Sequence, residues 1–92
     1  MTDFNKIKQY KQECVLKFGS LTDDELIDSF NGMVRISAWG FYRAALVDSI
    51  REEILKRDFD SSILFDNDSN GTAISFKLAN KVIIKNRKLV LL

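Results

Sequence analysis

The sequence predicts a single α+β domain over residues 1–92, with three N-terminal helices packed on one face of a C-terminal antiparallel meander of three to four strands. Two observations predict this class. Apolar residues recur at helical spacing as far as Arg57, and after Asp60 they alternate along the chain as in strands. A chain of 92 residues has the length of one domain and buries roughly 60–65% of its unfolded surface. We therefore expect one core shared by helices and strands.

The first helix is predicted over Asp3–Phe18, where six apolar residues recur at helical spacing. They are Phe4, Ile7, Tyr10, Cys14, Val15 and Phe18. Gly19 follows at the position where a left-handed C-cap is expected. Cys14 lies on the apolar stripe, so we interpret it as a small core residue and not as a reactive thiol.

The second helix begins after Thr22, which with Glu25 has the spacing of a capping box. The acidic residues of its first turn also suit the positive end of the helix dipole. We expect this helix to run to about Phe30, because Asn31-Gly32 is a typical break.

The third helix is predicted to begin between Met33 and Ser37, to include Gly40 and to end near Arg57. Its apolar face is expected to meet the sheet, while Phe41 and Leu55 point towards the first two helices. The residues of that face are Ile36, Trp39, Tyr42, Leu46, Val47, Ile50 and Ile54.

Two arginines of this helix do not fit a purely apolar packing element. Arg43 projects into the apolar face and Arg57 lies on its shoulder. Each is a candidate for a structural ion pair or an anion contact. The ion pair is favoured for Arg43, because burying an unpaired guanidinium is costly. Its candidate partners are Asp28, Glu53, Asp58 and Asp60.

The strands are expected to form one sheet through two tight turns. A three-residue turn over residues 79–81, with Asn80 in the left-handed conformation, would pair Leu78 with Val82. A turn at Asn86-Arg87 would pair Ile84 with Leu89. The apolar face towards the helices would then consist of Ile63, Phe65, Ile74, Phe76, Leu78, Val82, Ile84, Leu89 and Leu91.

The composition offers little to catalysis. There is no histidine and only one cysteine, so the commonest general base and the usual zinc ligands are missing. The spacing of the remaining groups suggests no catalytic pair, and we expect neither an enzyme nor a cofactor. No apolar stretch approaches the ~20 residues of a membrane span, and no secretory leader is recognisable. We therefore expect a cytoplasmic protein without a membrane partner.

The loop from Asp66 to Gly71 matches the first half of a calcium-binding loop, D-x-D-x-N-G. The second half departs from the pattern, since Ile74 and Lys77 occupy the ninth and twelfth positions, where oxygen ligands are needed. Strands flank the loop instead of helices. These departures favour a polar hairpin loop over a calcium site.

The outer face of the sheet is the candidate functional surface. It would combine apolar and basic side chains, a composition typical of a contact with a protein partner or a second copy of the chain. Its residues would be Leu64, Lys77, Ile83, Lys85, Val90 and Leu92. The alternative is a nucleic-acid-associated module that uses the basic C-terminal strands. That alternative is less favoured, because the face has no aromatic residue to stack on a base.

Overall fold

The computed structural model describes residues 4–34, 40–67 and 73–92 of the chain. These parts contain three α-helices, a short 3-10 turn over Ser62–Leu64 and four β-strands. The elements are α1 (Phe4–Gly19), α2 (Asp23–Met33), α3 (Phe41–Lys56), β1 (Phe65–Asn67), β2 (Ala73–Phe76), β3 (Val82–Lys85) and β4 (Lys88–Leu91). The predicted α+β class and the order of helices before antiparallel strands are confirmed. The expectations for Ile36, Trp39, residues 68–71 of the loop and the side chains of Phe41 and Ile74 lie outside what the structure describes.

The junction between α1 and α2 is fixed by local hydrogen bonds. Gly19 is the last residue of α1 and its φ is not positive, so the expected left-handed cap is wrong. The backbone N–H of Ser20 and that of Leu21 instead donate to carbonyls of the last turn. The capping box is confirmed: the Glu25 N–H donates to the Thr22 hydroxyl at 3.2 Å, and the Glu25 carboxylate accepts from the Thr22 N–H at 2.9 Å.

Helix α2 is longer than predicted and α3 is shorter. The helix continues through Asn31-Gly32 to Met33, so the break expected there is wrong. Burial of Met33 extends the apolar face of α2 by one turn. Val34 is extended and Gly40 is the extended N-cap of α3, so the glycine lies before the helix and not inside it.

The main neighbour of α3 is α1, and the helix that packs on β3 is α2. The apolar face of α3 was expected to meet the sheet; α3 packs mainly against α1, and its Ile50 and Ile54 share the core with strand residues such as Leu89. The small residues Ala45 and Ser49 of α3 are buried. The Ser49 hydroxyl donates to the Ala45 carbonyl at 2.7 Å, which satisfies it within α3. Leu55 was expected to point towards the first two helices, but its side chain is half exposed.

The four strands form two separate antiparallel hairpins, β1–β2 and β3–β4. The turn at Asn86-Arg87 is confirmed with its register, because Ile84 pairs with Leu89. Both turn residues have positive φ, 52° and 62°, as a type I′ turn requires.

The predicted pairing of the second and third strands is wrong, and so is the left-handed conformation of Asn80. The edge of β3 is occupied by α2 instead. The Asn31 side-chain amide donates to the Val82 carbonyl at 2.8 Å and accepts from the Val82 N–H at 2.9 Å. This pair of bonds imitates a neighbouring strand and fixes β3 to α2.

One core joins the helices to both hairpins. Its largest fully buried side chains include Phe30 and Leu26 of α2, Ile50 and Ile54 of α3, and Leu89 of β4. The Phe76 ring of β2 packs edge-on against Phe30, with ring centroids 5.7 Å apart. The β3–β4 hairpin is held from its other side by Asp60, whose N–H donates to the Arg87 carbonyl at 2.8 Å and whose carbonyl accepts from the Leu89 N–H at 2.9 Å.

Candidate functional site

The register of the β3–β4 hairpin places six residues on the side away from the core. Ile83 lies opposite Val90 and Lys85 opposite Lys88. The ladder continues one step beyond β3, where the Leu92 N–H donates to the Lys81 carbonyl at 3.1 Å. Because side chains alternate along a strand, these residues share one side of the hairpin. We call this surface the hairpin face: Lys81, Ile83, Lys85, Lys88, Val90 and Leu92.

The two sides of the hairpin differ in burial at its middle. On the inner side Val82 is 1% exposed and Leu89 is fully buried. Leu91, at the end of the same side, is 59% exposed, so its predicted place against the helices is wrong. On the hairpin face Ile83 is 41% exposed and Leu92 is 74% exposed, with Val90 half-buried between them. The inner side therefore anchors the hairpin, and the hairpin face leaves aliphatic surface in water.

The lysines of the hairpin face have no carboxylate partner in the described part of the chain. None of Lys81, Lys85 and Lys88 forms an ion pair there. Lys85 and Lys88 stand directly opposite each other, an arrangement of like charges that weakens a strand pair. The three lysines make the hairpin face electropositive.

Two acidic residues border the face without neutralising it. The Asp60 carboxylate accepts a hydrogen bond from the Ser62 N–H at 2.9 Å, which is the main reason that its pKa is lowered. The charge of Lys88 contributes to that shift from a greater distance. Asp58 lies 3.7 Å from Arg87, and both side chains are largely in solvent, so this pair contributes little.

The structure brings together four of the six residues predicted for this surface: Ile83, Lys85, Val90 and Leu92. Leu64 is 3% exposed, so its predicted place on the outer face is wrong. The 3-10 turn over Ser62–Leu64 interrupts the alternation there and turns this side chain into the core.

Lys77 does not share the hairpin face either, contrary to its predicted position beside Lys85. It follows β2 in the other hairpin, and its Nζ lies 2.7 Å from Oδ1 of Asp66. Lys81 and Lys88 take part instead, although they were not among the predicted surface residues. The turn at residues 86–87 already implied the position of Lys88, because it sets Lys88 opposite Lys85.

The two arginines singled out in the sequence are both engaged within the fold. Arg43 donates to the carbonyl of Met33 at 3.1 Å, so the carboxylate partner expected for it is wrong. A cation is well placed there, because the last carbonyls of α2 carry the negative end of the helix dipole.

Arg57 forms ion pairs within the chain, one of the two alternatives that the sequence left open for it. Its side chain is 16% exposed, and its Nη1 lies 2.7 Å from Asp23 while its Nη2 lies 3.3 Å from Glu53. The guanidinium also donates to the carbonyls of Phe18 and Leu21 at 3.0 and 2.9 Å. Arg57 thus ties the α1–α2 junction to the end of α3.

Asp66, the first residue of the polar loop, also forms polar contacts within the chain. The Asp66 carboxylate accepts from the Ser75 hydroxyl at 2.9 Å and pairs with Lys77, and these two contacts, the lysine first, lower the pKa of Asp66. Among the described residues no group of three or more cysteine or acidic side chains is placed to hold a metal ion.

A second apolar surface lies along α1, where Leu16 is 75% exposed beside a shallow groove of about 520 Å³. Two lysines, Lys8 and Lys11, line that groove, and Lys11 differs from the lysines of the hairpin face. Lys11 pairs with Asp48 at 2.6 Å and with Glu52 at 3.3 Å, so its charge is used within the chain.

The described helices do not include one that is both long and apolar enough to cross a membrane. Comparison of the chain with protein-family models, with curated proteins and with solved structures found no match.

Proposed function

We propose that the chain is a non-enzymatic module that binds a protein through the hairpin face, the partner being a different protein or a second copy. One observation carries the proposal: Ile83, Val90 and Leu92 expose adjoining aliphatic surface among three lysines that form no ion pair within the described residues. A partly apolar centre with a charged rim is the usual composition of a protein-binding surface.

A compartment and a class of partner complete the proposal. Cys14 is a free, buried thiol, which suits a reducing compartment, and we propose that the protein acts in the cytoplasm. A protein is favoured over a nucleic acid, because the hairpin face has no aromatic side chain to stack on a base. Its centre is aliphatic, which a phosphate backbone would not cover.

Site-specific photo-cross-linking tests the proposal. A photoreactive residue replaces Ile83 in one version of the chain and Leu55 in a matched control, because Leu55 is similarly exposed, at 50%, on α3. In the native host, irradiation is expected to attach the Ile83 version to one protein species or to another copy of the chain. The Leu55 version should yield neither.

Substitution of the apolar centre provides the second half of the test. Ile83→Ser removes apolar surface from the contact but little from the core, because this side chain is 41% exposed. We expect it to weaken binding of the captured species about tenfold, which corresponds to ~1.4 kcal/mol, with an unchanged melting temperature. Equal cross-linking at Ile83 and Leu55, or unaltered binding by Ile83→Ser, would refute the proposal.

A further inference from the structure

From the charges of the hairpin face we infer the chemistry of its partner, an inference that rests on the proposed function. We propose that the hairpin face takes a short acidic segment of a different protein, one that carries at least two large apolar side chains. The carboxylates would meet Lys81, Lys85 and Lys88, and the apolar side chains would cover Ile83, Val90 and Leu92.

The charge of the hairpin is the first argument. Beyond Phe76 the chain carries five basic residues and no acidic one. Of these, Lys77 is paired with Asp66, and Arg87 has only a long, exposed contact with Asp58. The three lysines of the hairpin face remain, and like charges facing like charges disfavour a basic partner by several kcal/mol in general. An acidic partner would instead relieve the repulsion between Lys85 and Lys88.

The same charges argue against a symmetric dimer through this face. A two-fold axis places the same patch of both copies in contact, so the three lysines of one copy would face those of the other. The exposed acidic residues of α2, among them Asp24 and Asp28, lie elsewhere on the chain. A copy that used them would form a head-to-tail contact, which leads to rings or open chains and not to a closed pair.

The size of the surface favours a segment over a large globular partner. A standard protein interface involves about 20–30 residues on each side, and the hairpin face has six. A depression of about 370 Å³ adjoins it, and its described lining includes Val34, Leu91, Asn80, Lys81 and Leu92. This depression offers a place for one apolar side chain of the segment beside Lys81.

Selection from a displayed library of random peptides tests the inference. The library is selected on the wild-type chain and depleted on a variant with Lys81→Gln, Lys85→Gln and Lys88→Gln, which keeps the side-chain lengths similar and removes the charges. Retained peptides are expected to have a net negative charge and at least two large apolar residues. Their dissociation constants should rise about tenfold or more with this variant and also at high salt.

Three results would overturn the inference. The first is retention of neutral or basic peptides, and the second is a failure to retain any peptide that distinguishes the two chains. The third is tighter binding of a mixed-sequence single-stranded RNA than of the selected peptides, which would make the partner a nucleic acid. An Ile83→Ser chain is the second variant, and it should weaken the selected peptides without lowering the melting temperature.

The two proposals fail in different ways. If cross-linking at Ile83 captures a protein while the selected peptides are neutral or basic, the proposed function stands and the acidic partner is refuted. If the captured species is a second copy bound through the same face, the inference is likewise refuted. If neither experiment finds a contact at Ile83, both are refuted.

Discussion

The α1–α3 interface and the hairpin face use charge in opposite ways. Between the two helices Lys11 pairs with Asp48, which also accepts from Arg51, and Lys11 reaches Glu52. On the hairpin face three lysines gather with no carboxylate partner in the described chain. Charges of the first kind form ion pairs that hold α1 against α3. Charges of the second kind have no such partner in the described chain, and we propose that they meet a partner outside it.

The largest loss of stability is expected when the Arg57 guanidinium, which joins the helices, is removed. Arg57→Ala leaves two carboxylates and the carbonyls of Phe18 and Leu21 without their donor. We expect it to lower the free energy of unfolding by about 2–3 kcal/mol in urea titration. Arg87→Ala is the matched control, since that side chain is 79% exposed, and it should cost about 0–0.5 kcal/mol. Equal losses would show that Arg57 is not structural.

The next largest loss of stability is expected from weakening the contact between α2 and the β3–β4 hairpin. Asn31→Asp keeps the acceptor for the Val82 N–H but removes the donor to the Val82 carbonyl. We expect the free energy of unfolding to fall by about 1–2 kcal/mol and amide hydrogen exchange in β3 to become faster. Asn80→Asp, at an exposed position, is the control and should leave both unchanged. Unaltered amide hydrogen exchange at Val82 in the Asn31→Asp variant would show that the Asn31 side chain does not hold β3 in place.

A smaller effect is expected on the pH dependence of stability, through the ion pair between α1 and α3. Hydrogen bonds from Lys11 and then from Arg51 lower the pKa of Asp48 below its ordinary value. A carboxylate with a lowered folded pKa stabilises the fold above its unfolded pKa, near 4. That stability is lost as the pH falls through the folded value.

We therefore expect Asp48→Asn to cost about 0.5–1 kcal/mol at neutral pH, where exposure of the pair limits its worth. The cost should shrink towards zero as the pH falls below about 4. Thermal unfolding across this pH range measures it. Asp24→Asn, an exposed residue of α2, is the control and should show no such trend. A cost for Asp48→Asn that stays constant with pH would rule out this ion pair.

The smallest effect on stability is expected at the hairpin face itself. Lys85→Gln removes one of two like charges that stand opposite each other, so stability should stay level or rise by about 0.2–0.5 kcal/mol. Lys11→Gln, made in parallel, should lower it, because Lys11 is paired. Urea titration of both variants sharpens the contrast between the two regions. A clear loss from Lys85→Gln would mean that this lysine has a structural role.

Local signals in the sequence were sufficient for the elements that are stabilised locally. The Thr22–Glu25 capping box and the turn at Asn86-Arg87 were both predictable, because each depends on residues within a few positions of one another. The turn also fixed most of the hairpin face, since it sets Ile83 against Val90 through its register.

Features that depend on distant contacts were not predictable from periodicity. The amide of Asn31 reaches Val82, 51 residues away, and so occupies the β3 edge that was expected to pair with β2. Leu64 alternates like a strand residue in the sequence, but the 3-10 turn buries it. The choice of α1 as the neighbour of α3 likewise depends on packing that no local pattern records.

The most direct test of the central claim compares cross-linking yield at the Ile83 position with and without the lysine charges. The photoreactive chain is made with the native lysines and with Lys81→Gln, Lys85→Gln and Lys88→Gln, and melting temperatures confirm that both versions are equally folded. We expect the yield of the captured protein to fall about tenfold without the charges, since an acidic partner depends on them. Equal yields from the two chains would contradict this expectation.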